Sequence, residues 1–197
     1  MKPSNFVHLH LHTSYSLLDS SLRHDALFKR AAEFKMPAVA MTDHGNMFGA
    51  IDFYNGAKKH GLKPIIGCEV YVAPESRHDK KEKHDLRDAS YHLILLAQNL
   101  KGYQNLLKLV TLGYMEGFYY KPRIDKELLA EHAEGLIALS SCGRGEVAHN
   151  INKENIPRAT KIASQYREIM GEGNFFLELQ NHKMEYQEKI NKELVKL

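Results

Sequence analysis

Short apolar runs of strand length alternate with helical stretches along this chain, and that order admits few folds. Residues 6–12 alternate strictly, with Val7, Leu9 and Leu11 on one face and His8, His10 and His12 on the other, which is strand periodicity. Further strands are expected at 38–42, 65–72, 91–97, 135–141 and 174–179. Helices are expected near 23–34, 48–60 (ending at Gly61), 100–115, 125–132 and 156–170, and from 185 onward. The run 75–89, dense in Lys, Asp, His and Arg, reads as a mobile surface loop. Such an alternation implies an α/β fold on a parallel sheet with right-handed crossovers, either doubly wound or closed as a barrel.

Composition bounds the chemistry more than it names it. The 197 residues suit one ordinary globular domain, and a net charge of +3 permits a phosphate-rich partner without implying one. No secretion signal or membrane span is expected, because the first ten residues hold no apolar core and the longest apolar runs are short. Two cysteines, Cys68 and Cys142, cannot build a disulfide framework and read as reduced cytoplasmic thiols. Twelve histidines are about three times the share of an average composition, which directs attention to where they sit.

In parallel α/β folds functional groups gather at the carboxyl ends of strands. Those positions hold His10, His12, Asp19, Asp43, His44, Glu69 and Cys142, while His92 falls at the start of its strand. Imidazole, carboxylate and thiolate together suit Zn²⁺ or Mn²⁺ and are too many for one tetrahedral ion, so several metals are implied. Each element also has a plainer reading. Same-face histidines can line a polar interior, Thr42-Asp43-His44-Gly45 can be a strand-to-helix turn, and Cys142 can be a buried thiol. Cys68 lies next to Glu69 and faces the other way in a strand, so it is expected in the core. His24, His60, His78, His84, His132, His149 and His182 are expected on the surface.

The segments HLHLHTSYSLLDSSL, MTDHGNMFGAIDFY, KPIIGCEVYV, YHLILLAQNLKGYQNL, GFYYKPRID and GLIALSSCGRGE resemble, in order and spacing, the start of the alpha subunits of bacterial DNA polymerase III. That region is a polymerase and histidinol phosphatase (PHP) domain. NLKGYQNL and GFYYKPRID separate the polymerase branch from free-standing phosphatases. The resemblance implies a distorted barrel of seven β/α units around up to three divalent ions held by nine ligands. Seven of these fall on His10, His12, Asp19, His44, Glu69, His92 and Cys142. The last two, on a seventh strand, would lie beyond Leu197, so residues 1–197 are expected to be an incomplete PHP barrel of about six strands, with weak metal binding, little activity and no polymerase domains.

The resemblance further implies a metal-dependent phosphodiesterase that removes nucleotides from a 3′ end, a proofreading role joined to DNA-directed DNA polymerase in replication. Glu69, His10 and His12 would carry the catalysis, with Glu69 bridging two ions. His8 and Asp43 would orient ligands from behind, against lining of the interior for His8 and helix capping for Asp43. Tyr15, Lys121 and Arg123 would touch substrate phosphate. Implied partners are a DNA primer-template, the remaining polymerase domains and other replicase subunits. A competing class is a docking and stabilising module for a separate proofreading exonuclease subunit, and a third is a small-molecule phosphatase of the histidinol phosphate type.

Overall fold

The computed structural model describes residues 6–80 and 89–197. Its elements in chain order are α1 (His24–Glu33), β1 (Ala38–Met41), α2 (Ala50–Lys59), β2 (Lys63–Val72), β3 (Tyr91–Ala97), α3 (Leu100–Met115) and β4 (Arg123–Ile124). They continue with α4 (Lys126–Glu131), β5 (Leu136–Leu139), α5 (Glu146–Asn152), α6 (Ile156–Met170), β6 (Phe175–Phe176) and α7 (Glu185–Leu194). Six strands form one sheet in the order β1-β2-β3-β5-β6, with β4 attached to the end of β2. The sheet is open among the described residues. No helix among them is long and apolar enough to cross a membrane.

The sheet is mixed, which corrects the parallel arrangement expected from the alternation. Strand β2 pairs in parallel with β1 and β4, while β3 runs antiparallel to both β2 and β5. Strand β3 is an antiparallel neighbour of β2, a pairing that needs no crossover helix. The registers Glu69↔Ile94 and Tyr71↔His92 put Glu69, Tyr71, His92 and Ile94 on one face. Cys68, Val70 and Val72 take the opposite face, in the large cluster with Leu93, Leu95 and the helices. A smaller cluster of Ile94, Leu96 and Leu139 lies on the Glu69 side.

Residues 6–12 form no regular strand. Ala40 N–H donates to the His8 carbonyl (3.2 Å) and Thr42 N–H to that of Leu11 (2.8 Å), so three residues span the length of two. Thr42 Oγ1 breaks the ladder by accepting from Leu11 N–H (2.7 Å). Helix α5 and strand β4 were not legible in the sequence. Helix α5 has seven residues and places the carboxylate of Glu146 on its buried side, where it meets Lys126 Nζ (2.9 Å) and the Tyr166 hydroxyl (2.9 Å). The surface loop expected at 75–89 is anchored at its start. Arg77 spans Glu116 (2.7 Å) and Asp125 (3.0 Å). Residues 81–88, His84 among them, lie outside the described residues.

Helix α3 starts where Asn99 caps it, its side chain accepting from Gly102 N–H (3.0 Å). A Cβ at Gly102 would run into the carbonyl of Gly135, whose oxygen receives Gln98 N–H (2.9 Å). Gly102→Ala is expected to destabilise the fold by roughly 1–3 kcal/mol through this overpacking, even though alanine is the better helix former by about 1 kcal/mol. Urea denaturation measures it; unchanged or increased stability would contradict the close approach.

Candidate metal centre

Glu69 is the hub of a polar pocket although it is only 1% exposed. Its Oε2 lies 2.8 Å from His10 Nε2 and 3.7 Å from His12 Nε2. Its Oε1 lies 2.6 Å from both His44 Nδ1 and His92 Nδ1. Asp19 reaches the rim, with Oδ2 3.8 Å from His44 Nε2, and Cys142 Sγ lies 3.9 Å from His92 Nδ1. The fold thus brings together all seven residues that the resemblance singles out. Asp19 is the most open of them, its side chain 60% exposed.

Four local devices converge on this pocket. Residues after β1 continue its pairing with β2: Glu69 N–H donates to the Asp43 carbonyl (3.0 Å) and Gly45 N–H to that of Glu69 (2.8 Å), which sets His44 beside Glu69. Gly45 has φ +62°, and a side chain there would meet the rings of Tyr71 and Pro122. The reversed direction of β3 explains how His92 can serve from the beginning of its strand, since that end lies beside the C-terminal end of β2. His92 N–H also donates to the Arg144 carbonyl (3.1 Å), which ties it to the turn carrying Cys142.

Among the described residues Asp43 caps no helix and hydrogen-bonds no histidine side chain. Fully buried, it accepts from Thr13 N–H (2.6 Å), Thr13 Oγ1 (2.8 Å) and Ser16 Oγ (2.6 Å). Ser16 Oγ in turn accepts from His44 N–H (3.0 Å), so Asp43 binds the turn after His12 to the start of the His44 segment. This bracing acts on backbone and hydroxyls, not on ligand rings.

The remaining expected residues divide between roles that match the positions found and roles that do not. His8 is exposed with its ring against Phe6, so it does not line the interior, and it belongs to neither ligand group among the described residues. Arg123 is buried, 1% exposed, and donates to the carbonyls of Gly117, Ala89, Arg77 and Asp79 (2.8–3.3 Å), so its guanidinium is used by the fold and is not offered to phosphate. Tyr15 gives its hydroxyl to Asp52 on α2 (3.2 Å). Lys121 is exposed, its Nζ 5.4 Å from the centre of the Tyr71 ring, which neighbours those of His44 and His92. His24 is half-buried against Phe28 and Phe53 rather than on the surface. Cys68 is in the core, and its thiol donates to the Asp43 carbonyl (3.4 Å).

Two residues at the pocket were missed by sequence reasoning. Glu178 Oε1 lies 2.8 Å from His10 Nδ1, and Gln180 Nε2 donates to the same oxygen (2.7 Å). Both follow β6 by a few residues, a position that the strand-end rule applied elsewhere in the chain would have flagged.

The electrostatics are those of a site short of positive charge. Burial opposes ionisation of Glu69, yet contacts with His10, His44 and His92 outweigh it and hold the carboxyl well below its usual range. Burial likewise opposes charge on His10, but Glu178 and Glu69 push its pKa up to about 9. His12 goes the other way, to about 4, because burial outweighs the attraction of Glu69. Burial also raises the Cys142 thiol. His12 Nδ1, His44 Nδ1, Glu69 Oε1 and His92 Nε2 are buried with no hydrogen-bond partner among the described residues. Closely packed lone pairs without donors fit divalent cations. Two groups have their ligand atoms within 4.8 Å of one another: His10, His12 and Glu69, and His44, Glu69 and His92.

These shifts predict the pH response of the metal-stripped protein. His10 is raised above its unfolded value of 6.5, so its contribution is complete below 6.5 and is lost as pH rises through about 9. His12 is depressed, so its contribution is present above 6.5 and is lost as pH falls toward about 4. Urea denaturation should show the alkaline loss in the parent and not in His10→Asn. Equal alkaline loss in both would show that His10 does not hold that proton.

A family model described as "PHP domain" matches residues 8–182. DNA polymerase III subunit alpha of Treponema pallidum (strain Nichols) is 47% identical over 197 residues, covering 100% of this chain and 17% of that protein. The same subunit of Thermus aquaticus is 48% identical over 191 residues, covering 96% of this chain and 16% of that protein. The chain therefore spans about a sixth of the length of these curated relatives, matching their N-terminal portion. A solved amidohydrolase from Chromobacterium violaceum is 20% identical, with a TM-score of 0.38 over 64% of this chain and 35% of its own, too loose a match to carry an inference.

Proposed function

This chain belongs to the PHP domain family, and we propose from that premise that its pocket is the metal centre of a phosphodiesterase that removes nucleotides from the 3′ end of DNA. The observation that carries this reading is the buried Glu69 carboxylate set against four imidazoles, three of which (His12, His44 and His92) keep a buried ring nitrogen with no hydrogen-bond partner among the described residues. His10, His12 and Glu69 would hold one divalent ion, and His44, Glu69 and His92 a second, with Asp19 and Cys142 at the margin. Zn²⁺ or Mn²⁺ suits these ligands, and when bound would supply electrophilic activation of the phosphate and of a water molecule.

The protein's own part is positional. Glu69 sits between the two histidine groups, one oxygen toward each, so it can bridge and partly neutralise two cations. The sheet beneath, with Ile94, Leu96 and Leu139, keeps its base dry and strengthens every charge interaction above it. Lys121, exposed beside the Tyr71 ring, would meet a backbone phosphate as a point charge.

Because the relatives are DNA polymerase subunits, the substrate is read as a primer-template, with further polymerase domains and replicase subunits as partners in the cytoplasm. The test uses a chain of the relatives' full length that carries this segment. Glu69→Gln should reduce Mn²⁺- or Zn²⁺-dependent degradation of a 3′-terminated primer at least a hundredfold, while Cys68→Ala stays within about threefold. The two neighbours face opposite sides of β2. Primer degradation that survives Glu69→Gln contradicts the proposal and favours a docking module; turnover of histidinol phosphate in preference to DNA favours the phosphatase reading.

A further inference from the structure

Glu178 lies outside both ligand groups, yet it is engaged with one of their members. Its side chain is 13% exposed, and Oε1 stands 2.8 Å from His10 Nδ1. The opposite ring nitrogen, Nε2, stands 2.8 Å from Glu69 Oε2. One imidazole is thus clamped between two carboxylates, one inside the metal pocket and one behind it.

The carboxylate behind is itself fixed. Glu178 N–H donates to Ser140 Oγ (2.8 Å), just beyond β5, and Gln180 Nε2 donates to Glu178 Oε1 (2.7 Å). Gln180 is tied in turn, its carbonyl accepting from Asn191 Nδ2 on α7 (2.8 Å). An ionised carboxylate offers only lone pairs, so the ring nitrogen facing Glu178 must carry hydrogen. In a neutral ring the lone pair then sits on Nε2, aimed at another lone pair on Glu69. A second ring proton relieves that opposition in the metal-free protein, and a divalent cation can take its place.

We infer that Glu178 is a positioning residue that holds His10 as the Nδ1–H tautomer, so that Nε2 is presented to a divalent ion shared with Glu69. The inference rests on the metal reading of the pocket proposed above. A carboxylate behind a ligating histidine fixes the ring's orientation and raises its donor strength, and its loss costs about 10–100-fold in metal affinity.

The experiment measures zinc affinity by chelator competition on a chain of the relatives' full length that carries this segment and on its Glu178→Gln and Glu178→Leu variants, with circular dichroism to verify that each folds. Nitrogen-15 shifts of His10 in the zinc-loaded parent report which ring nitrogen coordinates. Expected are coordination through Nε2, an affinity loss of about 10–100-fold for Glu178→Leu, and a smaller loss for Glu178→Gln, which keeps an acceptor oxygen. Coordination through Nδ1, or unchanged affinity in both folded variants, overturns the role of Glu178 and leaves the metal site standing. A parent chain that takes up no zinc overturns the metal reading, and this inference with it.

Discussion

A carboxylate almost sealed from water is the constraint on which the rest of this structure depends. Placing Glu69 at 1% exposure costs several kcal/mol unless partners surround it. The chain supplies four imidazoles, and these share too few protons to satisfy every lone pair they bring together. His44 and His92 both press a ring nitrogen to 2.6 Å of one Glu69 oxygen, so two rings compete for a single acceptor. A purely structural ion pair would pair each donor with one acceptor. The surplus of acceptors, spread over two groups sharing one carboxylate, is what makes cations the fitting occupants.

The backbone holds this frustrated cluster in place. Mutual hydrogen bonds between the Asp43-to-Gly45 stretch and Glu69 join the β1 and β2 segments, and Asp43 bundles the turns that follow His12 and precede His44. The reversed strand β3 brings His92 alongside, and the turn after β5 brings Cys142 to it. On the far face Cys68, Val70 and Val72 anchor β2 in the main core. Shifting β2 by one residue would exchange Glu69 for Cys68, so the register that buries the core also sets the chemistry.

Much of this was legible in the sequence because it rests on periodicity. Helices α3 and α6 match their expected ranges, each with a capping asparagine, Asn99 and Asn155, that marks its start. The opposed faces of Cys68 and Glu69 followed from strand alternation alone. What depends on long-range contact was not legible. The direction of β3 depends on how the segment after β2 returns, and no local pattern in residues 91–97 states it. Arg123 resembled a phosphate ligand because its charge shows in the sequence and its four carbonyl partners do not. Glu178 follows β6 where the strand-end rule applies, but its role behind His10, 168 residues away, has no local sign.

The central claim is that Glu69 gathers two cation sites around one carboxylate. Anomalous scattering from crystals of this protein soaked in zinc or manganese tests it most directly. The account predicts two peaks flanking Glu69, one beside His10 and His12 and one beside His44 and His92, at the separation of roughly 3.5–4 Å usual for paired catalytic ions. No anomalous peak at Glu69, or metal bound only at surface histidines, would contradict it.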